Sequence, residues 1–351
     1  MPRGVDLIHP TSKADLVEAI RRANEDARRL LVVGGRQHVD KGNVVDVDAE
    51  LWTTQLDRLV SYEPAEMVAV VEAGMRVGDL QRTLLEGGQE WPVDAPAEAT
   101  VGGVIASGAS SPRRMKVGAV RDTVLEAEVV TGDGRLVRSG ARTVKNVTGY
   151  DLHKLVTGSL GSLGVIVQAA LKVRALPKAA RTWRFDGGFE LAGALLEALP
   201  TATGILATQG AVDLRLEGWE PEVADQLADA RAIAEPLEGP AEGFPSARSW
   251  EDRPIVAEVA VPPSRLPDVL EGEAAFGALV GVGIAWVGLD DPGALEALRE
   301  RARAAGGIAP VVRGPGGLGD DAVAAPDVHR RLKDAFDPNG VLAPGRGWGG
   351  I

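Results

Sequence analysis

Between Ala99 and Gly118 the chain reads ATVGGVIASGASSPRRMKVG. Gly102 and Gly103 carry no Cβ, so the main chain there is free to lie against a ligand surface. Ala106, Ser107, Gly108, Ala109, Ser110 and Ser111 keep the next turns slim and supply hydroxyl and amide donors. Arg113 and Arg114 add positive charge just beyond. This chemistry suits a diphosphate wrapped by backbone. Tight helix packing uses the same small residues. Thr100 is placed to cap a short helix whose first N–H groups would then face phosphate oxygens.

A second glycine pair lies upstream, in Val33-Gly34-Gly35-Arg36-Gln37-His38, closing at Gly42. A strand ending in two glycines presents successive amide protons, which is a concave anion site; an ordinary tight turn has the same composition. It is not a G-x-G-x-x-G dinucleotide fingerprint, because no helix follows directly and Asp40, Asp46 and Asp48 are misplaced for a ribose contact. A third segment runs from Lys145 to Leu152, with Gly158, Gly161 and Gly164 after it. Glycine at every third position there suits backbone packed against something flat, or a loop that only joins helix to strand.

These segments need elements to hold them. Ser12 caps a first helix, with Asp15 at capping-box spacing and Leu16, Ile20, Ala23 and Ala27 on one face. Leu30 to Val33, Val44 to Val47 and Met67 to Val71 read as strands. A helix follows with Val77, Leu80 and Leu84 inward and Gly87 past its end. Val124 to Val130 and Arg135 to Val137 flank Gly132-Asp133-Gly134, a hairpin signal. Gly164 to Val173 is a β-branched strand, and Pro177 to Ala180 a boundary. Beyond it, strands at Trp183 to Phe185, Ile255 to Val261 and Val280 to Val287 alternate with helices at Leu191 to Leu199, Pro221 to Ala234 and Pro292 to Ala305. Asp327 to Phe336 is a last helix, stopped by Asp337-Pro338-Asn339-Gly340. The acidic stretches Glu217 to Glu222 and Asp290-Asp291 read as solvated faces.

Bulk properties narrow the function. At 351 residues two domains are expected. The net charge of −12 argues against nonspecific nucleic-acid binding and against docking on anionic lipid. With no cysteine, a disulfide, a thiolate nucleophile, a cysteine-ligated iron–sulfur cluster and a cysteinyl flavin are all excluded on this chain. His9, His38, His153 and His329 are scattered without zinc-type spacing, so no metal site is expected. The first ten residues lack the apolar core of a signal peptide, and no run is long enough to span a membrane; a cytoplasmic location is expected.

Taken in order, these segments resemble the FAD-binding domain of the vanillyl-alcohol oxidase and p-cresol methylhydroxylase (PCMH) type. More closely, they look like the E-type FAD-binding subunits of bacterial glycolate oxidase. ATVGGVIASGASSPRRMKVG, the Arg121-Asp122 pair, VKNVTGYDLHKLVTGSLGSLGVI and the tail FDPNGVLAPGR fall in that family's order and spacing. The resemblance implies an α+β chain: a two-subdomain FAD-binding domain over 1–177, an α/β cap over 178–325, and a tail, 326–351, returning to the first domain. It implies that Gly34, Gly35, Arg36, Gln37 and His38 wrap the diphosphate. Pro96, Thr100, Val101, Gly102, Gly103, Ala106 and Ser107 would continue that cradle, and Arg121, Asp122 and Arg346 would join the FAD-binding set. Asn146, Tyr150 and Asp151 would sit close to the nucleotide or the packing behind it, and Val165 and Ile166 would offer backbone to the adenine side.

This sequence departs from the family pattern in three places. Arg36 replaces the usual third glycine of the first loop, and Ala343 replaces the usual Asn before Pro344-Gly345-Arg346. No histidine directly follows the second glycine pair and cysteine is absent, so FAD is expected to be non-covalent. The activity implied is oxidation of a 2-hydroxy acid, glycolate first, by hydride transfer to flavin N5. Arg113 or Arg114 would hold the carboxylate and His153 or His329 would act as base. The alternative is an FAD-carrying partner that does no substrate chemistry. Either way a sister FAD subunit and an iron–sulfur subunit are expected, with any attachment to the inner membrane made through them. A sugar or aldonolactone oxidase would use the same cradle under another cap. A doubly wound nicotinamide enzyme fails on the missing fingerprint.

Overall fold

The computed structural model describes residues 5–142, 150–244, 248–315, 325–347 and 349–350. Two units result: Met1–Ser110 with Ala119–Leu176 and Gly319–Ile351, and Ser111–Gly118 with Pro177–Leu318. The segment with Arg113 and Arg114 therefore belongs to the second unit, although the sequence reading keeps it in the first.

The first unit starts with β1 (Asp6–Ile8) and α1 (Lys13–Glu25). The Ser12 hydroxyl accepts from the Asp15 amide at 3.1 Å, and Leu16, Ile20 and Ala23 are buried. Ala27 lies past the helix end, in a left-handed turn at φ 52°. β2 (Leu30–Val33) and β3 (Ala49–Trp52) follow. The parallel order is β1–β3–β2, which puts the carboxyl ends of all three strands on one side. The expected strand at Val44 to Val47 does not form; Val44 is 71% exposed, and the parallel register falls on Ala49–Trp52 instead.

Next come β4 (Leu59–Glu63), β5 (Val68–Glu72) and α2 (Val77–Glu86), which buries Val77, Leu80 and Leu84 and ends at Gly87. β6 (Gln89–Glu90) and α3 (Val101–Ser107) follow. The short α4 (Arg114–Val117) is part of the second unit. α5 (Val120–Thr123), β7 (Val124–Val130), β8 (Leu136–Gly140), α6 (Leu152–Val156), β9 (Val165–Lys172) and β10 (Arg174–Ala175) complete this stretch. The antiparallel order is β4–β5–β9–β7–β8, and the apolar β9 is central. A strand paired on both sides and covered on both faces reads as a continuous apolar run.

The second unit alternates as its sequence does. It contains β11 (Ala179–Asp186), α7 (Phe189–Ala198), β12 (Gly204–Thr208), β13 (Ala211–Gly218), α8 (Glu220–Arg231) and β14 (Glu238–Ala241). β15 (Ile255–Ala260), α9 (Leu266–Val269), β16 (Phe276–Leu279), β17 (Ile284–Leu289), α10 (Pro292–Ala304) and β18 (Val311–Arg313) follow. Among the described residues its eight strands form one antiparallel sheet. Trp183, Phe185, Leu214 and Leu216 point into a core shared with Leu195 and Leu298 of the helices. The opposite face of β11 and β13 is charged, with Arg184 held by Asp213 at 2.8 and 2.9 Å. The run Val280 to Val287 is strand only from Ile284; its first four residues are the turn between β16 and β17, where Gly283 sits at φ 77°.

The tail, α11 (Pro326–Phe336) and the residues after it, belongs to the first unit. Leu30 donates to Val341 O at 2.7 Å, and Ala343 donates to Leu30 O at 2.9 Å, so the tail runs beside β2.

Candidate functional site

β2 delivers the chain at Val33 into the loop Gly34–His38, and that loop lines a recess with Val39, Ala99, Thr100, Gly103, Ala106, Ser107, Leu160 and Arg346. The two glycine-rich segments thus meet. Their glycines are needed for close approach of one segment to the other. A Cβ on Gly34 would lie 2.1 Å from Thr100 Oγ1, and one on Gly35 would lie 2.3 Å from Glu98 O. The amides of Gly34, Gly35, Arg36 and Gln37 donate to no acceptor among the described residues. Four successive free donors beside a recess are suited to an anion.

The α3 end of the recess works differently from the sequence expectation. Its first amides are not free: Val101 donates to Met75 O at 2.9 Å, Gly102 to Ala73 O at 2.7 Å and Gly103 to Thr100 Oγ1 at 3.2 Å. The acceptors on Met75 and Ala73 come from the turn after β5, which local sequence does not reveal. α3 therefore supplies a wall without bulk, formed by Gly103, Ala106 and Ser107. Gly102 faces away from it. A Cβ there would lie 2.6 Å from Ala73 Cβ, so this glycine serves the packing of α3 on the end of β5. Val101 is fully buried in the same packing.

Arg346 is the recess's buried cation, 7% exposed. Its Nη2 donates to Val39 O at 2.7 Å and its Nη1 reaches Asn43 O at 3.4 Å. Its Nε is buried without a partner, and among the described residues no carboxylate lies within ion-pair distance. Burial lowers its pKa from the ordinary arginine value, with the more distant Asp40 opposing. A buried guanidinium satisfied by carbonyls alone is short of negative charge, and an anionic ligand supplies it. Asn43, which the sequence reading passed over, completes the closure by donating to Gly345 O at 3.0 Å and Gly347 O at 3.2 Å. If the recess takes the FAD that the resemblance implies, Arg346→Met weakens its binding by roughly 10- to 100-fold, the size of one or two charge-assisted hydrogen bonds. Titration of the flavin-free chain with FAD measures it.

Other nominated residues lie elsewhere. Pro96 is exposed, its carbonyl accepting from Ala99 N at 2.9 Å. Arg121 and Asp122 sit exposed on α5, where Asp122 accepts from the Ala119 amide at 3.0 Å. Tyr150 is 89% exposed and Asp151 pairs with Lys154 at 2.8 Å. Val165 and Ile166 are buried in β9, where pairing with β5 stops at Gln168, so only β7 pairs with them. Asn146 lies outside the described residues.

None of the four residues nominated for substrate chemistry lines the recess. Arg113 is buried, with its guanidinium 3.6 Å from Glu217, which Arg215 also holds at 2.8 Å. The carboxylate expected from a substrate is thus supplied by the chain itself, and Glu217 is a buried counter-ion, contrary to the solvated face expected. Arg114 is half-buried on α4. His329 is exposed on α11.

His153 is buried on α6, with Nδ1 3.3 Å from Ser139 Oγ. Burial holds its pKa below the ordinary histidine value, against the pull of Asp151. The folded imidazole is therefore neutral where the unfolded one begins to protonate, below about pH 6.5. Its contribution is present above that pH and is lost as pH falls. His153→Gln should flatten the decline in urea midpoint between pH 7.5 and 5.5. An unchanged decline would mean that other groups cause it.

Comparison with known proteins agrees with this architecture. The family described as FAD binding domain matches residues 6–140, and that described as FAD linked oxidases, C-terminal domain, matches 322–346. The glycolate oxidase subunit GlcE of Escherichia coli K12 is 31% identical, over 94% of this chain and 96% of its own length. A D-lactate dehydrogenase of Archaeoglobus fulgidus is 31% identical over 48% of this chain and 38% of its own. The GlcD subunit of Bacillus subtilis glycolate oxidase is 31% identical over 36% and 27%. Among solved structures, an alkyldihydroxyacetonephosphate synthase superposes with a TM-score of 0.70 at 18% identity, covering 96% of this chain and 75% of that one, which shows the shared fold. The chain belongs to the FAD-linked oxidoreductases, in the family of the glycolate oxidase subunit GlcE.

Proposed function

We propose that the chain holds FAD without a covalent link and takes part in oxidising a small 2-hydroxy acid, glycolate being the leading substrate. The supporting observation is the recess, where free amides at Gly34–Gln37 and a buried Arg346 without a carboxylate partner fit the diphosphate. Gly103, Ala106 and Ser107 would lie along the nucleotide. When bound, FAD supplies an acceptor for the hydride leaving the substrate's α-carbon. This chain's part is to grip the diphosphate, exclude bulk from the α3 wall and fix the nucleotide against β2. Acid precipitation should release all the flavin into solution.

A specific observation favours a second reading. The nominated base and carboxylate-binding residues are engaged or lie away from the recess. On this reading the chain carries FAD as an electron-transfer partner, and chemistry belongs to a sister FAD subunit, with an iron–sulfur subunit accepting electrons. One experiment separates the two. The purified, FAD-loaded chain is mixed anaerobically with glycolate. Bleaching of the yellow chromophore supports catalysis on this chain. Bleaching only after sister subunits are added supports the partner role. Failure of the chain to take up FAD at all overturns both.

A further inference from the structure

Arg36 stands in the middle of the amide-bearing loop with φ 57°, in the left-handed region that favours glycine. A side chain in that region carries a conformational cost that its surroundings must offset. The compensation is visible. The Arg36 guanidinium grips Glu50 with both terminal nitrogens: Nη2 donates to Oε1 at 2.9 Å, and Nη1 donates to Oε1 and Oε2 at 3.2 Å each. It lies over the Trp52 ring, 5.2 Å from its centroid. The Trp52 indole N–H in turn donates to Glu50 Oε2 at 2.9 Å, and His9 stacks on the far partner, Trp52, at 5.8 Å. Glu50 and Trp52 lie on β3, whose end is in register with Val33, the last residue before the loop.

We propose that Arg36 is a positioning residue, and that the Arg36–Glu50–Trp52 clamp holds the phosphate loop in its binding shape before FAD arrives. This rests on the reading that the recess takes the FAD diphosphate. The clamp also fixes where charge goes. The Arg36 charge is matched by Glu50, so Arg346 is left as the cation that meets the diphosphate. Without the clamp the loop populates other turns, and apparent affinity falls by the fraction of chains still in the competent shape. The loss appears in association, because the bound geometry and its contacts are unchanged.

The test uses the full-length flavin-free chain and the variants Glu50→Gln, Trp52→Leu and Arg36→Lys. Stopped-flow mixing with FAD should show association about 10-fold slower in each, with dissociation changed less than about threefold. Arg36→Lys keeps the charge and loses the two-nitrogen grip, so it should behave like the others. Trypsin cleavage of the Arg36–Gln37 bond in the flavin-free chain is a readout that needs no flavin. Glu50→Gln and Trp52→Leu should raise its rate about 10-fold, because the bond is cut from the locally opened loop. Unchanged association and cleavage overturn the clamp, as does tighter FAD binding by Glu50→Gln, which would mean that a freed Arg36 simply adds charge. If a variant melts globally, Arg36→Lys association decides. If wild type takes up no FAD, the diphosphate reading has failed, and cleavage alone still judges the clamp.

Discussion

Gly103→Asp is expected to purify without flavin, whereas Gly103→Ala should keep it. The pair separates charge from bulk. A Cβ at Gly103 meets only Thr100 Oγ1, at 2.9 Å, which a small side-chain adjustment relieves. Alanine also raises helix propensity in α3 by up to about 1 kcal/mol, offsetting part of that adjustment. Aspartate places a carboxylate in the recess that, on the proposed reading, the diphosphate would share with Arg346. Two like charges about 4 Å apart repel by about 4 kcal/mol at an effective dielectric constant near 20. That corresponds to roughly a thousandfold in dissociation constant. Visible absorbance per chain after gel filtration measures it. Full yellow occupancy in Gly103→Asp would mean that the diphosphate does not pass this face of α3. Gly34→Ala should also lose flavin, by sterics alone, because its Cβ would stand 2.1 Å from Thr100 Oγ1.

That contrast also shows which parts of the site local sequence carries. A β-branched run ending in Gly34-Gly35 marks a strand and the turn after it, and β2 forms as that pattern predicts, with Gly34–His38 lining the recess. Thr100 caps α3 for the same local reason, its hydroxyl lying within reach of its own third amide. At the site, the expectations that the fold overturns involve distant partners. Only the fold brings Ala73 O and Met75 O to the α3 amides, and only it brings Glu217 to Arg113. The register of β3 depends on parallel neighbours on both sides, so the β-branched Val44 to Val47 loses to Ala49–Trp52. The hairpin of β12 and β13 lies outside the expected strands, although Asp213, Arg215 and Glu217 alternate with Leu214 and Leu216 along it. Arg36 illustrates the limit in another way. Its departure from glycine is plain in sequence, but the carboxylate and ring that compensate it are 14 and 16 positions away.

Asp337→Ala is expected to lower the stability of the first unit by about 3–5 kcal/mol, because it strips one member from a buried ion pair. In sequence Asp337 looks like no more than a helix stop. In the fold it is 2% exposed and has three partners: Lys333 Nζ at 2.6 Å, the Val341 amide at 2.8 Å and the Leu342 amide at 2.8 Å. Lys333 spends its other protons on Ser162 O at 2.8 Å and Leu342 O at 2.7 Å. Burial holds the Lys333 pKa below the ordinary lysine value, and Asp337 offsets part of that. Removing the carboxylate leaves a buried ammonium short of its counter-charge and two amides without acceptors. The melting temperature should drop by roughly 10 °C. The same substitution should reach the flavin, because Val341 and Leu342 run beside Leu30 and lead the chain to Arg346. Saturating FAD binds only the folded form, so it should restore part of the lost stability in Asp337→Ala. Adding Arg346→Met to Asp337→Ala should cost less FAD affinity than Arg346→Met costs in the wild type, because the first change already displaces the guanidinium. A drop below about 1 kcal/mol, or FAD affinity in Asp337→Ala equal to that of the wild type, would detach the tail's ion pair from the placement of Arg346.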